Sequence, residues 1–238
     1  MKGLDEMAGY LRSAAFNESG DAAQARAAQP FITISRQAGA GGSAVAEEIL
    51  RQARGRLGLL WSGWSVLDRT LAETVAKDPN LSVVIDSLRK ETFRAPLSDY
   101  LTTVLADQSP QAAVLARVFK TIRTAAGMGK IVVVGRGGNL VTGMLRMGVH
   151  LRLVASKDCR LETLMGRYRW DRVEAERRME EMERARRLLV SAYFKKDIDD
   201  PLLYDAVINV ERVPREDIAR FALDMVERKA AEVLAASR

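Results

Sequence analysis

Apolar residues in this chain form short continuous runs that alternate with longer stretches of helical periodicity. The short runs are rich in β-branched residues, which is typical of strands buried on both faces of a parallel sheet. They predict strands at 31–34, 131–134, 149–155 and 206–210, and a further extended segment at 59–67. The periodic stretches predict helices at 43–56, from 68 onward, and at 110–126, 157–168, 172–196 and 214–236. The alternation predicts an α/β fold with a mostly parallel sheet layered by helices.

The first predicted strand leads into a loop with three glycines, Gly39, Gly41 and Gly42, and then into a helix that begins near Ser43. Glycines let backbone N–H groups approach an anion, and the positive end of a helix dipole favours negative charge there. The match to the Walker pattern is incomplete, because Arg36 replaces its first glycine and Gly42 replaces its lysine. From this stretch alone, a phosphate cradle and a strand-to-helix turn without a ligand are about equally supported.

A second glycine-rich turn follows the clearest strand, at Gly135-Arg136-Gly137-Gly138. Ligands of open α/β sheets bind at the carboxyl ends of the strands. Arg136 is therefore a candidate phosphate ligand, and the alternative is a turn residue exposed to water.

Composition narrows the chemistry that the chain can carry. Cys159 is its only cysteine and His150 its only histidine, which excludes an intrachain disulfide and disfavours a Cys/His zinc site or a Ser-His-Asp triad. His150 begins an apolar strand, where we expect a structural role. The sequence contains no run long enough to span a membrane and no signal-peptide pattern, so we expect a cytoplasmic protein without a membrane partner.

The formal charge of +6 suits an anionic partner, either a nucleotide or a nucleic acid. The segment 171–200 carries many of the arginines, among them Arg184, Arg186 and Arg187. These alternate with glutamates, with expected i,i+4 pairs between Glu180 and Arg184 and between Glu183 and Arg187. The segment is either a solvated helical face or a lid that closes over phosphates, and the interleaved acids disfavour nucleic acid.

Several separated stretches resemble the cytidylate-kinase-like family, a branch of the P-loop nucleoside monophosphate kinases. They are ITISRQAGAGG at 32–42, VLDR at 66–69, VVVGRGGN at 132–139, ERAR at 183–186 and DDPLLYDAVINV at 199–210. The resemblance covers about residues 31–225 and rests on the order and spacing of these stretches.

The resemblance implies a P-loop kinase-like fold with a parallel five-stranded sheet flanked by helices. It divides the chain into an N-terminal extension at 1–29 and a kinase-like domain at 30–238. Within that domain it implies a monophosphate-binding insert at 70–110 and a helical lid at 171–200. Met7, Tyr10 and Leu11 of the extension are expected to pack on the body or on a partner.

The resemblance also implies transfer of the γ-phosphoryl group of ATP to a nucleoside monophosphate such as CMP or dCMP, with Mg²⁺. The implied donor-phosphate ligands are Gly39, Ala40, Gly41, Gly42 and Ser43, and the Ser43 hydroxyl is the implied metal ligand. Arg136 is assigned to the acceptor phosphate, with Arg89 and Arg94 of the insert as further acceptor ligands. The implied catalytic cations are Arg36, Arg136, Arg184 and Arg187, with Arg186 as an alternative to Arg187, and Asp205 is a weaker candidate near the phosphate edge.

Departures from the family pattern leave a second hypothesis open. Gly42 lacks the Walker lysine, and Ser43 stands where this branch usually has arginine. Val134 and Gly137 occupy positions where cytidylate kinases carry aspartates. Arg36 could supply the missing charge, because a guanidinium binds phosphate bidentately. The chain is therefore either an active kinase or a catalytically weak nucleotide-binding protein that keeps the fold.

Overall fold

The computed structural model describes residues 5, 7–10, 29–78 and 110–236. Five strands form one parallel sheet in the order β2-β3-β1-β4-β5: β1 (Phe31–Arg36), β2 (Ser65–Leu67), β3 (Ile131–Val134), β4 (Gly148–Val154) and β5 (Ala206–Asn209). This arrangement confirms the predicted fold class. The predicted extended segment at 59–67 is wrong in its first half, because residues 59–63 form turns and only the last three residues are a strand.

Seven helices of the described ranges cover both faces of the sheet. They are α1 (Gly42–Arg54), α2 (Arg69–Lys77), α3 (Pro110–Met128), the short α4 (Gly138–Val141), α5 (Lys157–Tyr168), α6 (Arg172–Phe194) and α7 (Arg215–Ala236). A short 3₁₀ turn, Pro201–Leu203, precedes β5. Asp68 caps α2, and its side chain accepts a hydrogen bond from the Leu71 N–H at 2.8 Å.

The core has two layers because the strands alternate their side chains between the two faces. Phe31, Ile131 and Val133 pack beneath α2 and α3. Ile32, Ile34, Val132 and Val134 pack with the buried faces of α1 and α7. Trp61 and Trp64 are buried in this second layer and are core residues.

Two residues of the N-terminal extension lie on the body of the domain. Met7 is fully buried against α3, and the Tyr10 hydroxyl donates to the Ala125 carbonyl oxygen at 3.1 Å. Leu11, the third predicted contact residue, lies outside the described residues. Within those residues, no helix has both the length and the apolar character needed to cross a membrane.

The topology places β1 at the centre of the sheet, between β3 and β4. The chain leaves β1 toward β2 and β3 on one side and later returns to β4 on the other side. Crevices at such switch points, outside the carboxyl ends of the strands, are where open α/β sheets bind ligands. The loops after β1 and β3 therefore lie side by side at this edge.

His150 links two neighbouring strands in the interior. Its Nδ1 lies 2.8 Å from the Thr33 Oγ1, and its ring meets the Phe31 ring edge-on at 5.9 Å. Burial lowers the pKa of the imidazole to about 4, although the Asp205 carboxylate opposes this effect. The geometry supports the structural role expected for this residue.

We predict that this histidine makes the free energy of unfolding depend on pH. Its folded pKa lies below the ordinary value of 6.5, so the unfolded chain binds the proton first and stability is lost as pH falls. Between pH 5 and 6.5, unfolding in urea should become easier by at most about 1.4 kcal/mol per pH unit of acidification. His150→Gln should remove most of this slope, and an unchanged slope in the variant would contradict the assignment.

Candidate active site at the carboxyl edge of the sheet

The loop between β1 and α1 has a backbone that only glycine accommodates at two points. Gly39 and Gly41 adopt left-handed φ angles of 86° and 69°. A Cβ at Gly39 would also overlap the backbone carbonyl of Arg160 in α5, whereas a Cβ at Gly41 would meet nothing within 4 Å. The conformation of the loop and its fit against α5 therefore both depend on Gly39.

Backbone donors of this loop remain available for a ligand. The first hydrogen bond of α1 runs from the Val45 N–H to the Gly41 carbonyl oxygen at 3.1 Å. Within the described part of the chain, no hydrogen bond uses the N–H groups of Gly41, Gly42 or Ser43. These amides stand at the positive end of α1 and form the kind of cradle that binds phosphate.

The side chain of Arg36, at the end of β1, lies over this cradle. A Cβ at Gly42 would lie 3.1 Å from both Cγ and Cδ of Arg36, and a Cβ at Gly135 would overlap its Nη1. The arginine side chain therefore runs over position 42, where a Walker loop has its lysine, and ends beside the turn after β3. The glycines at 42 and 135 make room for it.

Arginines from separate elements converge on a cavity of about 250 Å³ beside this loop. Arg36 comes from the end of β1, Arg69 from α2, Arg136 from the turn after β3, and Arg186 from α6. Met182, Leu189, Val190 and Ile198 contribute an apolar wall. The cavity thus combines a cationic side with an apolar side.

Acidic residues neutralise this cluster only in part. Glu73 accepts from Arg69 at 3.2 Å and also from Arg136, so one carboxylate serves two guanidinium groups. Arg186 pairs with Glu183 at 3.3 Å. Arg36 has no ion pair within the described ranges.

The electrostatic consequence appears in the pKa values of the arginines. Burial lowers the pKa of the Arg36 guanidinium to about 9, and repulsion from the other arginines of the cavity adds to the effect. Burial also lowers the pKa of Arg136 and of Arg186. A bound anion would relieve both costs, since it supplies the opposite charge at short range.

Arg136 is held in an unusual way. Its φ is 55°, which is uncommon for a residue with a side chain, and its buried Nε has no hydrogen-bond partner among the described residues. Strained backbone and unpaired buried donors are expected where a ligand completes the structure. Both features are consistent with the acceptor-phosphate role assigned to this residue from the sequence.

The arginines of the expected lid lie in two places. Arg186 lines the first cavity, whereas Arg184 and Arg187 line, together with Glu183, a second depression of about 450 Å³. Gln37 of the loop and the basic residues Lys157 and Arg160 of α5 also line this second depression. The two arginines preferred from the sequence are therefore not the one that joins Arg36 and Arg136.

Helical periodicity could have identified Arg186. Ala175, Met179, Met182 and Leu189 form the apolar stripe of α6, and Arg186 occupies the place in that stripe between Met182 and Leu189. A cation in the buried stripe of an amphipathic helix is a stronger signal than a cation elsewhere on that helix.

The expected i,i+4 pair of Glu183 with Arg187 is wrong. Glu183 pairs instead with Arg186, three residues away, and Arg187 donates to Asp199 at 3.2 Å. The second expected pair, between Glu180 and Arg184, is also absent from the described residues.

The exposed arginines of α6 near its first turns are matched by acids. Arg177 and Arg178 both pair with Glu174 and Glu181. This part of the helix is a solvated face with little uncompensated charge, which weighs against a nucleic-acid surface.

Sequence reasoning missed Arg152, the charged residue of β4. It is 2% exposed, donates to the Ser35 Oγ at 3.0 Å and pairs with Asp199. The Tyr204 hydroxyl lies 3.3 Å from the same Ser35 oxygen. Because Asp199 also accepts from Arg187, this buried arginine connects the end of β1 to α6. An arginine inside the apolar strand at 149–155 was the available signal.

The remaining predicted site residues lie elsewhere. Asp205 precedes β5 and accepts from the His150 N–H at 2.7 Å and from Lys229 at 3.0 Å, on the side of the sheet where the strands begin. Its expected position near the phosphate edge is wrong. Arg89 and Arg94, with residues 79–109 of the expected insert, lie outside the described residues.

The comparisons with known proteins identify the family. The sequence profile of the cytidylate kinase-like family matches residues 31–212. The chain belongs to the cytidylate kinase-like family, as its motifs indicated. No curated protein matches the sequence.

Comparison with solved structures finds one with the same fold and others that are similar at lower TM-scores. An uncharacterized protein from Eubacterium ventriosum ATCC 27560 is similar over 84% of this chain and 99% of its own, with a TM-score of 0.66 and 19% identity. A gluconokinase from Sinorhizobium meliloti 1021 matches over 88% of this chain and 98% of its own, with a TM-score of 0.45 and 18% identity. A sugar kinase from Janibacter sp. HTCC2649 matches over 84% and 95%, with a TM-score of 0.38 and 14% identity. The similarity to the Eubacterium ventriosum protein, at 19% identity, shows a common fold.

We predict that Gly39→Ala disrupts the site far more than Gly41→Ala. Both substitutions force alanine into a left-handed conformation, which costs about 1–2 kcal/mol, but only the first also collides with α5. Gly39→Ala should unfold at clearly lower urea concentration and lose binding of tripolyphosphate, whereas Gly41→Ala should show the smaller stability loss alone. Equal losses in the two variants would show that the contact with α5 does not matter.

Proposed function

We propose that this protein is a phosphotransferase of the cytoplasm that moves the γ-phosphoryl group of ATP to a nucleoside monophosphate, with CMP and dCMP as the first candidates. The convergence of Arg36, Arg69, Arg136 and Arg186 on one cavity beside the phosphate loop carries this proposal. Phosphoryl transfer requires positioning and electrostatic stabilisation more than covalent chemistry. A partly buried group of arginines at the end of a cradle of backbone amides supplies both.

The proposed roles follow from these positions. The backbone from Gly39 through Ala40, Gly41 and Gly42 to Ser43 would hold the donor phosphates. Arg136 would bind the acceptor phosphate, with Arg89 and Arg94 as further ligands from the insert. Arg184 and Arg187 would approach the donor from the second depression, on the α5 side of the loop.

Arg36 would carry the charge that a Walker lysine normally supplies. Its side chain runs over Gly42, and its guanidinium ends beside Gly135, next to Arg136. It would therefore stand between the proposed donor and acceptor sites. As the bond from the γ-phosphorus to the ADP oxygen breaks, an oxygen of the acceptor phosphate bonds to the same phosphorus. Negative charge on the transferring group would then lie against Arg36 and Arg186.

The residues at the loop fit a magnesium ion that binds chiefly through nucleotide phosphates. Within the described ranges, no group of three or more acidic, histidine or cysteine side chains could hold a metal alone. The Ser43 hydroxyl stands in the first turn of α1, beside the free amides. Mg²⁺ often takes few protein ligands and keeps water and phosphate oxygens, and it would neutralise charge on the donor phosphates.

One observation favours a second candidate, a nucleotide-binding protein with weak or no turnover. An amide of the loop, that of Ala38, is already bonded to a carboxylate of α6. Together with the absence of lysine at position 42, this could limit access of the donor phosphates. Substrate turnover distinguishes the two candidates.

We predict acceptor-dependent release of ADP when ATP and Mg²⁺ are supplied with a panel of nucleoside monophosphates. A kinase should reach about 1–100 turnovers per second with its preferred acceptor. ATP alone provides the background, and Arg136→Gln should suppress the signal by weakening acceptor binding. ATP binding without release of ADP with any acceptor would favour the second candidate.

A second prediction tests whether a lysine at position 42 can replace the charge of Arg36. Arg36→Gly should weaken binding of ATP about 10- to 100-fold, the effect of losing a charged hydrogen-bond donor. Adding Gly42→Lys to that variant should restore much of the affinity, because the lysine then enters the space that Arg36 leaves.

The single variant Gly42→Lys is the control for this exchange. Its new side chain must displace Arg36, whose Cγ and Cδ would lie 3.1 Å from the added Cβ. It should therefore bind ATP no better than the parent protein. If Gly42→Lys raised the affinity for ATP more in the parent protein than in the Arg36→Gly variant, the lysine would not be replacing the charge of Arg36.

A further inference from the structure

The phosphate loop is contacted by a carboxylate of the protein itself. Glu183, in the middle of α6, accepts a hydrogen bond from the Ala38 N–H. Its side chain is 12% exposed and also pairs with Arg186 at 3.3 Å. A largely buried carboxylate is thus bound to a backbone donor of the loop, next to the cavity lined by Arg36.

Packing fixes this carboxylate in place. Met179 of α6 packs with Ala38 in a small core cluster that also contains Leu161 of α5. Residues four apart lie on the same face of a helix, so Glu183 follows Met179 toward the loop. Arg186 adds a second attachment, because its Nη1 donates to the Arg36 carbonyl oxygen at 2.9 Å. The helix therefore holds residues 36–38 at two points.

A nucleotide phosphate would compete with this contact. A backbone N–H is a single donor, so the Ala38 amide cannot serve a carboxylate and a phosphate oxygen equally well. The two anions would also repel each other at short range inside a partly buried site. A polyphosphate that reaches the Ala38 amide therefore requires Glu183 to move away, although the amides of Gly41, Gly42 and Ser43 are already free within the described residues.

We propose that Glu183 is an internal competitor that occupies the phosphate loop until a polyphosphate displaces it. This inference rests on the proposed function of the loop as the donor-phosphate site. Displacement would break the pair between Glu183 and Arg186 and leave Arg186 free to bind the incoming phosphate. Helix α6 would thus occupy the Ala38 amide through Glu183 when no nucleotide is bound, and bind the nucleotide through Arg186 after Glu183 is displaced.

The test measures binding of tripolyphosphate and of ATP–Mg²⁺ by calorimetry to the full chain and its variants. Glu183→Ala and Glu183→Gln should lower the dissociation constant for tripolyphosphate about 10- to 100-fold, the effect of removing a charged hydrogen-bonded competitor. Glu180→Gln is the matched control. This residue lies on the same helix, lines the same depression and loses the same charge on substitution. Within the described residues it makes no hydrogen bond or ion pair with the loop, so the dissociation constant of Glu180→Gln should stay within about twofold of the parent value.

Hydrogen exchange at the Ala38 amide provides the second measurement. In the parent protein without nucleotide this amide should be protected, and Glu183→Ala should make it exchange at least tenfold faster. Glu180→Gln should leave its exchange unchanged. These results together with tighter binding in the Glu183 variants would support the competitor.

The outcomes separate the two proposals. Equal tripolyphosphate affinity in the parent, Glu183→Ala and Glu180→Gln would overturn the competitor and leave the phosphate loop intact. Tighter binding by the same factor in the Glu180 and Glu183 variants would also overturn it, because the effect would then be one of overall charge. Absence of binding in every variant would overturn both the competitor and the proposed donor site.

Discussion

Positive charge held at close range in a partly buried cavity is the constraint on which the rest of the site depends. Guanidinium groups from the end of β1, from α2, from the turn after β3 and from α6 face one space. Like charges repel more strongly away from bulk water, and the packing of the two core layers is what keeps the elements together. The acids are arranged so that Glu73 serves two arginines and Arg36 has no ion pair within the described ranges. The folded structure thus keeps one guanidinium group of the cavity, that of Arg36, without an opposite charge within the described ranges.

Much of the fold could be predicted because its signals are local. Continuous apolar runs mark the strands, and Asp68 marks the start of α2 through a side chain that reaches only three residues along the chain. The turns at 59–63 were mistaken for an extended segment because Leu60 and Trp61 pack into the core without pairing with a strand. Apolar residues indicate that a segment is buried, whereas a strand also needs a neighbouring strand to accept and donate its backbone hydrogen bonds.

The site was predictable in its parts and less so in its pairings. The glycine loop follows β1 and Arg136 follows β3. They are adjacent because the carboxyl ends of neighbouring parallel strands lie at one edge of the sheet. The choice of Arg184 and Arg187 over Arg186 ignored the phase of α6, which was readable from its apolar stripe. The partners of Arg152 and Glu183 depend on contacts between distant segments, and no local pattern specifies those. Asp205 was misplaced because its position relative to the strand ends depends on where β5 begins.

Through the small cluster around Ala38, the loop between β1 and α1 also takes part in packing α5 and α6. This alanine is buried beneath α5 and α6, so a residue of the loop is also part of the core that supports α6. A larger side chain at position 38 would push α6 outward even if it left every phosphate ligand in place. The loop and α6 are therefore packed as one unit through Ala38, and a change in the position of either would shift the other.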